Sequence, residues 1–272
     1  MKGNKLLKVL VCFILLVNLI VTTLSVFVNV FLLDKKIYTN SMEKSGVYDE
    51  VLQNIYKKMD SSLGIKLDQS VKNVIITRDD IKYIAEDIIS VLLNDIKEGT
   101  YNKPSIDTSL YKKRLDDYVK NAASGNDVLE KGLTQVSDKV FTIINEELNS
   151  NIFNEIIETE EFHKISSIIN FLHKVMIISI ASLIIFILVL YSVSRSLLNA
   201  VESFSSVCIQ NGIIFITLFA CLYVFSKLLM NEGTESIYQI IGLIFKEGSL
   251  KLITTGAVFL GFGFIGSRIK RI

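Results

Sequence analysis

Residues 9–33 read VLVCFILLVNLIVTTLSVFVNVFLL, 25 consecutive positions without a charged side chain. A bilayer's hydrocarbon core is about 30 Å thick and a helix rises about 1.5 Å per residue, so about 20 such residues cross it. Three more uncharged windows follow at 175–194, 203–226 and 252–267, with 20, 24 and 16 residues. The last is short, but Lys251 and Arg268 at its ends can extend their stems and keep their charges among the headgroups. The windows predict an all-α membrane protein: four transmembrane helices with an extracytoplasmic α-helical domain between the first and second.

This segregation resolves an apparent conflict in composition. The 272 residues are 50% hydrophobic yet 21% charged, which fits neither a typical soluble domain nor a chain buried wholly in lipid. Residues 34–174 hold 24 acidic and 19 basic side chains, a net of −5, and the remainder carries +6. The overall charge of +1 therefore says little about partners.

Lys2, Lys5 and Lys8 precede the first window as they would a secretion signal. A signal's apolar region is about 7–15 residues, and LLDKKIYTN offers no small-residue cleavage site, so the segment is expected to stay as a signal anchor. Basic residues of short segments set orientation. Lys2, Lys5, Lys8, Arg195, Arg268, Lys270 and Arg271 fall on one side, against Lys227, Lys246 and Lys251 on the other. Both termini are thus expected in the cytoplasm of a cell membrane protein. The order becomes a cytoplasmic tail (1–8), span 1 (9–33), an extracytoplasmic helical domain (34–174) and span 2 (175–194). A cytoplasmic loop (195–202), span 3 (203–226), an outer loop (227–251), span 4 (252–267) and a cytoplasmic tail (268–272) follow.

Within 34–174 the apolar residues repeat at three and four, the period of a half-buried helix. SGVYDEVLQNIYKKM is one such helix, with Ser45 available as its cap. TRDDIKYIAEDIISVLLNDIKEG is a second: Thr77 and Asp80 form a variant capping box, Ile81, Ile84, Ala85, Ile88, Leu92 and Ile96 the buried stripe, and Gly99 the left-handed end. A loop around the only proline, Pro104, leads to a third helix through Leu115, and ASGND separates it from a fourth through Val140 and Ile144. From Ile152, Phe153, Ile156 and Ile157 the apolar pattern continues toward span 2. VKNVIIT reads as a helix or a short strand. In the outer loop, Ile237, Ile240, Ile241 and Ile244 share a face, either as an interfacial helix or as an ordinary packed one.

The search for chemistry finds no enzyme signature. The uncharged windows hold no Asp, Glu, His, Lys or Arg, which counts against proton relays and ion-coupled pumps. His163 and His173, ten residues apart on one helix, would sit about 15 Å apart and cannot share a metal. The acidic pairs 79/80, 116/117, 146/147 and 160/161 diverge by about 100° on a helix and cannot converge on one atom. Cys12, Cys208 and Cys221 all lie in membrane windows, so no disulfide is expected outside them. No cofactor, metal site or nucleic-acid surface is expected, and a non-enzymatic role follows.

Two polar or small-residue patterns remain. Asn18, Thr22, Ser25 and Asn29 fall at i, i+4, i+7 and i+11, within an arc of about 60°. Lipid cannot satisfy these side chains, so the stripe faces other spans or a second copy as helix–helix glue, or else it lines a hydrated path. In LITTGAVFLGFGFIGS, Gly256, Gly263 and Ser267 share a face and Ala257 with Gly261 forms a small-xxx-small pair. These suit close packing within the bundle or at a homodimer face. Expected partners are therefore the lipid bilayer and either a protein partner or a homo-oligomer through transmembrane helices 1 and 4. Gln210 and Asn211 near one end of span 3 read as interfacial polarity.

The stretch YTNSMEKSGVYDEVLQNIYKKM outside span 1, with Ser45 to Val51 and the IDTS segment Ile106 to Ser109, resembles a group of uncharacterised bacterial membrane proteins. That group has a signal anchor, an exported helical domain and three further spans. The resemblance implies architecture and carries no activity. The topology is also similar to FtsX-like ABC-transporter permeases, which implies a cytoplasmic ATPase partner. Against that, the loop between spans 2 and 3 is short and no cytoplasmic helix precedes span 1.

Overall fold

The computed structural model describes residues 2–100, 106–124, 126–148, 159–194, 196–232 and 236–269. Arg195, Lys270, Arg271, Pro104, Ile152, Phe153, Ile156, Ile157 and Glu235 lie outside the described residues. Every regular element among the described residues is helical. The chain divides into two compact units, one of residues 1–41 with 167–272 and one of residues 42–166.

In the first unit, α1 (Lys2–Phe27) passes into a π-helical turn (Val28–Leu32), and α2 (Lys35–Ser45) carries the boundary to the second unit. The unit resumes in α8 (Glu160–Ser194) and closes with α9 (Leu197–Glu232) and α10 (Ser236–Arg268); the intervening α3 to α7 are given below. Four helical segments are long and apolar enough to span a membrane: Lys5–Leu32, Phe162–Ser194, Leu197–Asn231 and Ser236–Arg268. The last three have 33, 35 and 33 residues, or about 50 Å each, so they extend well past a hydrocarbon core of about 30 Å. The chain is accordingly an all-helical, multi-pass integral membrane protein.

This length also settles the short fourth window. Its 16 uncharged residues are the later half of one unbroken helix that starts at Ser236 and runs through Lys246, Glu247 and Lys251. Ile237, Ile240, Ile241 and Ile244 belong to α10 itself, not to a separate interfacial helix. The helix packs along α9 on both sides of this charged turn, at Gly242 and at Gly256.

Val11, Leu15 and Leu19 of α1, Leu190 of α8 and Val207 of α9 form the core of this unit. Much of the remaining apolar surface faces outward: Ile177 is 74% exposed and Ile184, Ile185 and Leu188 are exposed beside it. Hydrocarbon is as good a solvent for these side chains as protein, so no driving force buries them in a bilayer.

The second unit is built from α3 (Val47–Leu63), α4 (Gln69–Ile75), α5 (Arg78–Glu98), α6 (Ser109–Ala123) and α7 (Asp127–Leu148). Its core joins Tyr48, Ile55, Tyr56 and Met59 of α3 to Ile81, Ile84 and Ile88 of α5, Tyr111 and Leu115 of α6, and Val140 and Ile144 of α7. The helix over VKNVIIT is α4, with extended backbone at Ile76 and at the Thr77 cap of α5. Asp68 caps α4 by accepting from the Ser70 N–H at 2.8 Å. Ser45 does not cap α3. It ends α2, donating to the Met42 carbonyl, and Gly46 turns the chain at φ 73° before Val47. A left-handed turn is cheap for glycine, which has no Cβ, and this is what permits the sharp break between the two helices.

Candidate functional site

Along α1 the polar stripe is partly satisfied within its own helix. Thr22 donates to the Asn18 carbonyl at 2.8 Å, and the Asn29 amide donates to the Ser25 carbonyl at 2.8 Å. Each asparagine also reaches α8. The Asn18 amide donates to the Ser182 hydroxyl, and the Asn29 side-chain oxygen meets Nδ1 of His173. Ser25 is fully buried, with its hydroxyl unpaired among the described residues. The stripe therefore links the first and second spans of one chain at two depths, eleven residues apart along α1 and its π turn and nine on α8. Ser182 was not singled out from sequence, and His173 was weighed there only as half of a metal pair with His163. Each is legible in the sequence only as a polar side chain on or beside an apolar helix, a property that Ser179, Ser192 and Ser194 share.

The glycine face of α10 packs on α9. A Cβ on Gly256 would lie 2.9 Å from Ile216 and 3.0 Å from the Gly212 carbonyl, and one on Gly263 2.5 Å from Ile209 and 2.9 Å from the Ser205 carbonyl. The third member of this face is Gly266, whose Cβ would meet Ser205 and Val201. Ser267, the residue the spacing suggested, is only partly buried and bonds back to the Phe264 carbonyl. Ala257 and Gly261 are exposed, and a Cβ on Gly261 would meet nothing within 4 Å. Gly242 and Gly248 extend the close approach, toward Met230 of α9 and Phe31 at the end of α1 respectively.

Asn211 departs most from its sequence reading. It is fully buried, and both side-chain polar atoms are unpaired among the described residues. Interfacial polarity does not describe such a position.

A cavity of about 1040 Å³ opens between α1 and α10. Leu19, Val26, Phe27 and Phe31 line it from α1 and its π turn, Leu252, Phe259 and Phe262 from α10. Leu183 of α8 and Phe204 and Cys208 of α9 line its deeper part. Asp34, Lys36, Asn40, Glu247 and Lys251 stand at the end where α1 finishes and α10 enters the apolar region. Thr22, Thr23, Thr254 and Thr255 also face it, but each hydroxyl donates to a carbonyl four residues earlier on its own helix at 2.8–2.9 Å. Such back-bonding spends the donor locally and leaves a mostly apolar wall. A smaller cavity of about 370 Å³ lies by Lys8, Cys12, Phe13, Ser203 and Gln210.

The second unit offers structural rather than convergent chemistry. Asp80 accepts from the Thr77 backbone N–H at 2.8 Å, completing the capping box, and from Arg114 at 2.7 Å and 3.1 Å. Burial pushes its carboxyl up, but the hydrogen bonds from Arg114 and Thr77 outweigh this and hold it below the ordinary carboxylate range. Burial pushes the Tyr48 and Tyr111 hydroxyls up to about 12. Lys72, 5% exposed, pairs with Asp60 at 2.6 Å. Among the described residues no group of three or more His, Cys, Asp or Glu side chains is placed to hold a metal.

Comparison of the chain with protein families, with curated proteins and with solved structures found no match. Class therefore rests on the four apolar helices and the helical unit between the first two.

Proposed function

We propose that this is a non-enzymatic protein of a bacterial cell membrane whose helical unit lies outside the cytoplasm and binds or senses another envelope component. The carrying observation is the second unit's own hydrophobic core, whose described members all lie within residues 42–148. A unit of this kind, inserted between two membrane helices, has no anchoring role left to explain it. The orientation and the placing of both termini rest on the distribution of basic residues, and the signal anchor on the length of the first apolar window. Tyr83 at 74% and Val128 at 83% exposed are accessible positions on this unit from which a partner can be captured.

Photo-crosslinking side chains placed at Tyr83 and Val128 in the full-length protein in intact cells test the reading. Adducts with a wall polymer, a lipoprotein or another exported protein are expected. Adducts with cytoplasmic proteins alone would overturn both the orientation and the sensing role. No observation in the spans favours an ATPase-driven permease over this reading.

A further inference from the structure

We infer that the cavity between α1 and α10 is a binding site for a glycerophospholipid, with an acyl chain between the helices and the phosphate at Lys36 and Lys251. Three observations converge on this class of ligand.

The first is size and depth. From Leu19 to Phe31 the cavity follows α1 for about 18 Å, and from Lys251 to Phe262 it follows α10 for about 16 Å. Half of a hydrocarbon core is about 15 Å, so the site is one leaflet deep. Its volume of about 1040 Å³ stands at the upper end of the roughly 300–1,000 Å³ usual for small-molecule sites.

The second is polarity along that depth. The wall is apolar where the chain would lie, since its four threonine hydroxyls are spent on their own helices. Phe262 is 66% exposed and Val30 71%, so the cavity opens sideways to hydrocarbon, the route by which a lipid enters.

The third is charge. Lys36 and Lys251 are exposed at one end, and neither ammonium has an ion-pair or hydrogen-bond partner among the described residues. Two ammonium groups on flexible stems at the headgroup level suit a phosphate. Asp34 and Glu247 share this rim, so an ammonium or hydroxyl beyond the phosphate meets acceptors there. Phosphate is the shared requirement.

The test offers full-length protein in mild detergent phosphatidylglycerol, phosphatidylethanolamine or diacylglycerol of identical chains, with glycerol phosphate as the chain-free headgroup. Native mass spectrometry records what stays bound. Either phospholipid is expected to remain at one per protomer, while diacylglycerol and glycerol phosphate are lost. Lys36→Gln with Lys251→Gln should lower phospholipid retention roughly tenfold or more. Both positions are exposed, so the melting temperature should not move. Thr255→Phe, which fills the wall, should do the same without touching a charge; should it fail to fold, the lysine pair decides alone. Equal retention of diacylglycerol, wild-type retention by the lysine variant, or tight binding of glycerol phosphate alone would each overturn the proposal. So would a dimer in place of bound lipid that Thr255→Phe dissociates, since a second copy would then fill the cavity.

Discussion

Asn29 and His173 are 144 positions apart, yet their side chains meet between the π turn after α1 and α8. Hydrogen bonds between membrane helices are worth about 0.6–2 kcal/mol each, because the unfolded chain in lipid finds other partners. A double-mutant cycle of Asn29→Leu and His173→Leu, read by thermal melting in detergent, should return a coupling energy in that range; additive losses would remove the contact. Asn211→Leu is expected to be neutral or to stabilise by about 1 kcal/mol, since it replaces an unpaired buried amide with an apolar side chain of similar size. A large loss of stability would show that the amide has a partner after all.

Asp80 is the corresponding case in the helical unit. Its folded-state carboxyl is held below the unfolded value of about 3.9, so the stability it supplies is complete above that value and is lost as the pH falls through the folded one. Acid titration of unfolding should show this loss, and Arg114→Met should flatten it. Asp80→Ala should cost about 2–3 kcal/mol from the cap and the charged hydrogen bonds together. The capping box was legible in the sequence because Thr77 and Asp80 are three apart. Arg114 was not, because only the packing of α6 beside α4 brings it to the start of α5, 34 positions back in the chain. Ser45 misled for a related reason: a hydroxyl near a helix start suggests a cap, but the left-handed Gly46 after it moves the start to Val47.

Helix by helix, the glycines of α10 decide how closely it lies on α9. Gly256→Ile or Gly263→Ile forces a side chain into the Gly212 or Ser205 backbone and should cost at least the roughly 1–3 kcal/mol typical of overpacking. Gly261→Leu should be silent in the same melts, because its Cβ enters open space. Equal losses at all three would mean that Gly261 lies in an interface with a second copy. Periodicity placed Ser267 on one face with Gly256 and Gly263, whereas against α9 the next member is Gly266 in place of Ser267. They are 100° apart, and only the crossing of α9 against α10 selects one. Truncating Met59, fully buried in the core of the helical unit, to alanine should cost about 2–5 kcal/mol.

For the whole molecule, topology is the quantity on which the proposed function depends. In a cysteine-free background, Ser124→Cys should react with an impermeant reagent applied to intact cells and Ser196→Cys should not; the reverse pattern would invert the protein. Ser196 is exposed, so a thiol placed there is accessible from whichever side this loop faces. The sequence by itself determined how many helices span, that the segment between the first two is helical, and where local signals such as the α5 cap and the Gly99 stop fall. Charge segregation and a period of 3.6 are properties of neighbouring residues, so they survive without coordinates. Only the tertiary structure decided which partners satisfy the α1 stripe, that α10 runs unbroken through its charged turn, that Asn211 is buried, and that a cavity separates α1 from α10. Each depends on the distance between helices far apart in the chain, and that distance is set by side-chain volumes packing in three dimensions rather than by any local spacing.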